Sequence, residues 1–247
     1  MLGIPDQIRA CLFDLDGVLT QTAAVHAAAW KEMFDNFLRK WAAEHGQPFV
    51  PFDSGTEYDK YVDGRSRADG TRTFLHSRGI ELPEGSDADP FGAETIAGLS
   101  ALKNQIVLRK IADDGVAVYP GSVRYLRAVK HAGLARAVVS ASANCRQVLA
   151  SAGLGDEFDV IVDGIVAKRD HLAGKPAPDS YLAGARALGV PPSEGVVYED
   201  AQAGVQAGRA GRFGWVVGVD RVGQADELRE AGADVVVKDL AELLDEA

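Results

Sequence analysis

Cysteine is scarce in this chain of 247 residues: only Cys11 and Cys145 occur. Two thiols cannot build a disulfide framework, and their spacing matches no zinc motif. Cys11 lies inside an apolar run, where a buried thiol behaves as a small hydrophobe. Long apolar runs are missing too, since nothing approaches the ~20 residues needed to cross a bilayer. The first residues, MLGIPDQIRA, lack the basic flank and apolar stretch of a secretion signal, so a cytoplasmic, reducing location is expected. Positive charge is in deficit, with 26 Lys and Arg against 36 Asp and Glu and a formal net charge of −10. That balance argues against nucleic acid and anionic membranes as partners. It still allows an anionic small molecule, because a metal ion and a few lysines can reverse the field locally. Neither an internal repeat nor a low-complexity segment is visible.

What is present is ample apolar content, 47% of residues, enough for one large domain or a domain plus a smaller one. From Thr22 to His45, Val25, Ala29, Trp30, Met33, Phe34, Phe37, Leu38 and Trp41 recur at helical spacing, and Gly46 and Pro48 close the pattern. An irregular stretch at 47–64 reads as a loop or a short extra element. Helices are expected near 66–78 and 99–112. Beyond residue 114 the pattern changes to short β-rich runs at 137–140, 160–162, 196–198, 215–219 and 235–237, separated by helical segments. Such alternation predicts a parallel sheet. The run Ala10–Phe13 must join it, because a lone strand cannot stand by itself. The expected fold is therefore α/β: a Rossmann-like parallel sheet core (1–20 and 115–247) with an inserted all-helical cap domain (21–114). Ligands of such sheets bind beyond the carboxyl ends of the strands.

Chemistry-bearing residues fall at those ends. Asp14-Leu15-Asp16-Gly17-Val18-Leu19-Thr20 follows the first strand, and alternation brings Asp14 and Asp16 out on one side. Two neighbouring carboxylates repel, and Mg²⁺ is a natural remedy; a polar turn capping the next helix is the plainer alternative. The run Ser140-Ala141-Ser142-Ala143-Asn144 sets hydroxyls and an amide at another strand end, fit either for a phosphate or for helix capping. In Gly174-Lys175-Pro176-Ala177-Pro178-Asp179, prolines bracket a lysine that could neutralise a phosphate or simply face solvent. Tyr198-Glu199-Asp200 ends a further strand, with Asp200 able to complete an acidic cage or to cap a helix.

Taken together, DLDGVLT (14–20), SASAN (140–144), GKPAPD (174–179) and YEDAQAG (198–204) make the chain resemble the haloacid dehalogenase-like superfamily, specifically its β-phosphoglucomutase-like branch. The resemblance implies a nucleophile at Asp14 that becomes an aspartyl-phosphate and a general acid/base at Asp16. It implies that Ser140 and Lys175 hold the transferring phosphoryl group. Mg²⁺ is implied as the cofactor, with Asp14, Asp16 (through its carbonyl) and Asp200 as ligands and Glu199 beside them. Substrate contacts are implied at Ala141, Ser142 and Asn144, and in the cap at His26, Trp30, Gly64, Arg67 and Lys103. Arg67 would grip a non-transferring phosphate, with a solvent-exposed cap arginine as the alternative, and His26 could equally be a packing residue.

The implied reaction interconverts β-glucose 1-phosphate and glucose 6-phosphate through the bisphosphate. The alternative is a sugar-phosphate phosphatase in which water replaces the sugar hydroxyl. A monomer handling a small sugar phosphate is expected. The sequence departs from the family pattern at Gln21, at Asp63 and in a longer cap around Phe49–Phe52, all in the part that governs substrate choice.

Overall fold

The computed structural model describes residues 2–244. They divide into two compact units, one running to Gln21 and resuming at Val116, the other Thr22–Gly115. In the first unit, six strands among the described residues form one parallel sheet. They are β1 (Ala10–Phe13), β2 (Ala135–Val139), β3 (Val160–Val162), β4 (Gly195–Glu199), β5 (Trp215–Val219) and β6 (Val235–Val237), in the order β3-β2-β1-β4-β5-β6. Every residue of β1 and β4 is buried, whereas β3 and β6 begin half-buried. Central parallel strands covered on both faces need continuous apolar side chains, which is how these runs read.

Succession along the chain reverses direction in space at β1, with β2 on one side and β4 on the other. A sheet of this kind opens a crevice at that point, beyond the strand ends. Register matters here: Phe13 is level with Val138 and with Tyr198, so the residues that follow each strand emerge at one height. Phe13 and Tyr198 also stack, with ring centroids 4.4 Å apart. The Tyr198 hydroxyl bonds that of Tyr125 at 2.8 Å and lies 3.6 Å from Cys11 Sγ. Burial pushes the Cys11 thiol up to about 12, which makes it an inert packing group.

The Thr22–Gly115 unit consists of α1 (Thr22–His45), α2 (Thr56–Tyr61), α3 (Arg67–Ser77) and α4 (Ile96–Asp114). Its core is aromatic: Phe34 packs on Trp30, Phe52 and Phe74 at 5.1, 5.1 and 4.2 Å between centroids. The extra length around 49–52 is anchored by Phe52, buried, whose N–H donates to Asp35 Oδ1 at 2.8 Å and whose carbonyl accepts from Lys31. Helix α4 begins at Ile96, three residues before its expected start, because Thr95 accepts the Gly98 N–H and caps it.

The remaining helices flank the sheet: α5 (Pro120–His131), α6 (Cys145–Ser151), α7 (Gly164–Arg169), α8 (Asp179–Leu188), α9 (Gln202–Ala210) and α10 (Ala225–Ala231). Helix α5 opens on proline and ends with Lys130 and His131, the residue types its two ends favour.

Candidate active site

Asp14 follows β1 directly, and its N–H extends the ladder to the Tyr198 carbonyl at 3.0 Å. The chain then turns back, with the Gly17 N–H on the Thr20 carbonyl at 2.8 Å. Gly17 has φ +87°, and a Cβ there would overlap the Asp200 carboxylate. Both requirements select glycine. The same observation places Asp200, at the end of β4, against the turn that carries Asp14 and Asp16. Asp200 is not the cap of the following helix, since Ala201 takes that position.

Lys175 enters from the loop before α8 and is almost wholly buried. Its ammonium donates to Asp14 Oδ1 at 2.5 Å, to Glu199 Oε1, and to the Val139 carbonyl at 3.4 Å. Glu199, fully buried, also accepts from the Tyr181 hydroxyl at 2.9 Å and from the Ala201 N–H at 3.1 Å. A Cβ at position 204 would strike this carboxylate, so Gly204 leaves room for it. Burial alone would discharge the lysine, but its two carboxylate partners outweigh that effect and hold it protonated. For Asp14, burial raises the carboxyl well above its usual range; Lys175 pulls it down, and Glu199 and Asp16 push it up. Asp14 and Glu199 share the one ammonium between them.

On the other side of β1, Ser140 is buried and its Oγ accepts the Ser142 N–H at 3.1 Å, while Ser142 Oγ accepts the Asn144 N–H at 3.1 Å. Asn144 stands at the N-cap position of α6 without a side-chain cap bond. The loop is supported from β3, where the Ser140 N–H reaches the Val162 carbonyl at 3.0 Å and the Gly164 N–H reaches the Ser142 carbonyl at 3.1 Å. Burial raises the Cys145 thiol, and the charges of Asp16, Asp163 and Asp14 add to the rise.

No group of three or more His, Cys, Asp or Glu side chains that could hold a metal ion occurs among the described residues. Glu199, expected beside the cation, accepts from Lys175, Tyr181 and a backbone N–H. Asp14 at the start of the turn and Asp200 packed against it at Gly17 are the carboxylates that could hold one. That smaller set still suits Mg²⁺, which usually keeps several waters and takes one or two carboxylates. Two carboxylates paired with a single ammonium also leave charge for a cation to offset.

In the Thr22–Gly115 unit, Lys103 is buried, 2.6 Å from His26 Nδ1 and 4.8 Å from the centre of the Trp30 ring. Gly64 has φ +68° and leads into α3. Arg67 opens that helix; one guanidinium nitrogen, Nη1, is buried with no hydrogen-bond acceptor, and burial lowers its pKa. Arg67 is thus not a solvent-exposed cap arginine.

Sequence patterns did not reveal Tyr181, nor Asp163, which caps α7 through the Val166 N–H and pairs with Arg146 at 2.9 Å. An acid directly after a β-rich run was the available signal for Asp163; nothing marked Tyr181.

A parallel sheet that gathers a buried lysine, acids from two central strands and a serine loop at one end defines a phosphate-handling enzyme of the Rossmann-like type. The family model for haloacid dehalogenase-like hydrolase matches residues 8–212, and the chain belongs to that family. It is 56% identical over 247 residues to a β-phosphoglucomutase of Mycobacterium bovis, covering 99% of this chain and 94% of that protein. With the β-phosphoglucomutase of Bacillus subtilis it shares 30% identity, covering 96% and 92%. The crystal structure of a β-phosphoglucomutase from Clostridium difficile matches with TM-score 0.74 at 28% identity, over 96% of this chain and 94% of that one.

Proposed function

We propose that this enzyme transfers a phosphoryl group through Asp14 and isomerises β-glucose 1-phosphate to glucose 6-phosphate by way of the 1,6-bisphosphate. The observation that carries the chemistry is Lys175 buried between Asp14 and Glu199 at the ends of β1 and β4. The likeness to β-phosphoglucomutases carries the substrate.

In one half-reaction an Asp14 oxygen attacks the C1 phosphorus of the bisphosphate and the ester P–O bond breaks, while Asp16 gives its proton to the leaving C1 oxygen and glucose 6-phosphate departs. In the other, Asp16 takes the proton from the C6 hydroxyl of β-glucose 1-phosphate as that oxygen attacks the phosphoryl group, which frees Asp14 and regenerates the bisphosphate. Lys175 and the Ser140 hydroxyl, with Ala141, Ser142 and Asn144, hold the phosphoryl oxygens. Asp14, Asp200 and the Asp16 carbonyl would hold Mg²⁺, whose charge offsets that of the phosphate. In the helical unit, the buried Arg67 nitrogen without an acceptor suits the phosphate that is not transferred. His26, Trp30, Gly64 and Lys103 complete the substrate contacts. Solubility in the cytoplasm and a monomeric state accompany this reading.

The family's description as a hydrolase favours a second reading, a sugar-phosphate phosphatase. Incubation with Mg²⁺, β-glucose 1-phosphate and a trace of bisphosphate separates the two. Glucose 6-phosphate in excess of free phosphate is expected, and free phosphate alone rejects the mutase. Asp14→Asn should bring turnover to background. Asp16→Ala should slow it by about 10²–10⁴-fold while a reactive phosphoryl donor still labels Asp14, as peptide mass spectrometry would show. A label on any other residue overturns the mechanism.

A further inference from the structure

The loop between β5 and α10 has no part in the chemistry above, yet it grips both acid-bearing segments. Asp220 Oδ1 shapes it by accepting the N–H groups of Val222, Gly223 and Gln224 at 3.3, 2.6 and 2.8 Å. From this loop Arg221 reaches the turn after β1: Nε donates to the Gly17 carbonyl at 2.9 Å and Nη2 to the Val18 carbonyl at 3.2 Å. Its other donors go to Ser122 Oγ at 2.9 Å, the Lys238 carbonyl at 2.6 Å and Asp239 Oδ2 at 3.2 Å. The guanidinium lies 3.6 Å from the centre of the Tyr119 ring. An arginine has five N–H donors, and these five acceptors use them all. Arg221 therefore has none left for a substrate. Three residues on, buried Gln224 donates from Nε2 to the Asp200 carbonyl at 2.9 Å.

We propose that Arg221 and Gln224 are positioning residues that fix the Asp14–Thr20 turn relative to Asp200, and thereby set how tightly these acids hold a divalent cation. The metal part of the proposal rests on the magnesium-dependent reading above. The physical reason is geometric. Mg²⁺ demands near-ideal octahedral oxygens, and the Asp200 carboxylate already packs on Gly17, so slack in either backbone changes the oxygen spacing directly. Groups that orient ligands from behind commonly affect affinity by about 10–100-fold.

Two readouts on the full chain test this: Mg²⁺ affinity by isothermal titration calorimetry, and backbone hydrogen exchange by mass spectrometry without metal. Arg221→Met should weaken Mg²⁺ binding about 10–100-fold and lower kcat at limiting Mg²⁺ with KM for the sugar phosphate unchanged. It should speed exchange in the segment 15–20. Gln224→Leu should act on the segment after Asp200 in the same way. Arg221→Lys should recover part of the loss, since an ammonium cannot serve five acceptors. Folded variants with wild-type Mg²⁺ affinity and unchanged exchange in these segments would overturn the proposal. If Arg221→Met does not fold, Gln224→Leu and Arg221→Lys carry the same two readouts. A wild-type chain that binds no Mg²⁺ would remove the functional reading, while exchange would still decide the clamp.

Discussion

Lys175 in the sheet unit and Arg67 in the helical unit meet the removal of a cation from water in opposite ways. In the sheet unit Lys175 sits between two carboxylates, and its third bond is to a carbonyl. In the helical unit Arg67 keeps a buried nitrogen without an acceptor. A buried ion pair is neutralised within the fold, whereas a buried charge with an unfilled donor stays costly until an anion arrives. Lys175 thus holds the fold together as well as serving the proposed chemistry, and Arg67 has a donor that the proposed substrate phosphate would fill.

Lys175→Met tests the first half of this contrast and should have the largest effect on folding. Removing one partner of a buried pair strands the other charges, at about 3–5 kcal/mol. The loss should depend on pH. Burial, Glu199 and Asp16 already raise the Asp14 carboxyl, with Lys175 as the opposing pull. Without the lysine the folded form binds a proton more readily than the unfolded chain. Stability is then retained below the ordinary carboxylate range and falls as pH rises through the elevated value. Thermal melts of the variant between acid and mildly alkaline pH would show this, and a flat profile would break the contrast.

Arg67→Met tests the second half and should do the reverse. Its melting temperature should equal or exceed that of the wild type, because a desolvated charge has been removed. The KM for the sugar phosphate should rise by about 10–100-fold, the worth of hydrogen bonds to a charged group. Steady-state kinetics and melting curves together decide; a marked loss of stability would place Arg67 among the structural residues. The smallest effect belongs to Tyr181→Phe, which takes one hydrogen bond from Glu199. A loss of about 1 kcal/mol, read as a drop of a few degrees in Tm, with kcat little changed, would show that Glu199 is fixed mainly by the lysine.

Much of the sheet unit could be read from the chain because its signals are local. An apolar run of four or five residues ending in Asp, Ser or Glu-Asp announces both a strand and a group at its carboxyl end, as at Asp14, Ser140 and Glu199. Short helices were harder to read. Helices α2 and α7 span six residues each, fewer than two turns, so no period can develop in them. The partners of Glu199 were hidden for a different reason. Neighbouring residues on a strand point to opposite faces, and Glu199 turns to Lys175 while Asp200 turns to Gly17. Arg221 and Gln224 act on carbonyls up to 204 residues away in the chain, a relation that no periodicity records.

The entry and exit of the inserted helices lie side by side. Gln21 bonds the Ala117 carbonyl through its N–H at 2.8 Å and the Val118 carbonyl through Nε2 at 3.0 Å, and the Tyr119 N–H reaches Leu19. Thr20 and Val118 form an antiparallel bridge. A hairpin turn of a few residues could close that gap with no change to the sheet or to the acids above it. The sheet unit thus closes on itself at the two crossings, and the inserted segment can vary in length without pulling on the strand ends.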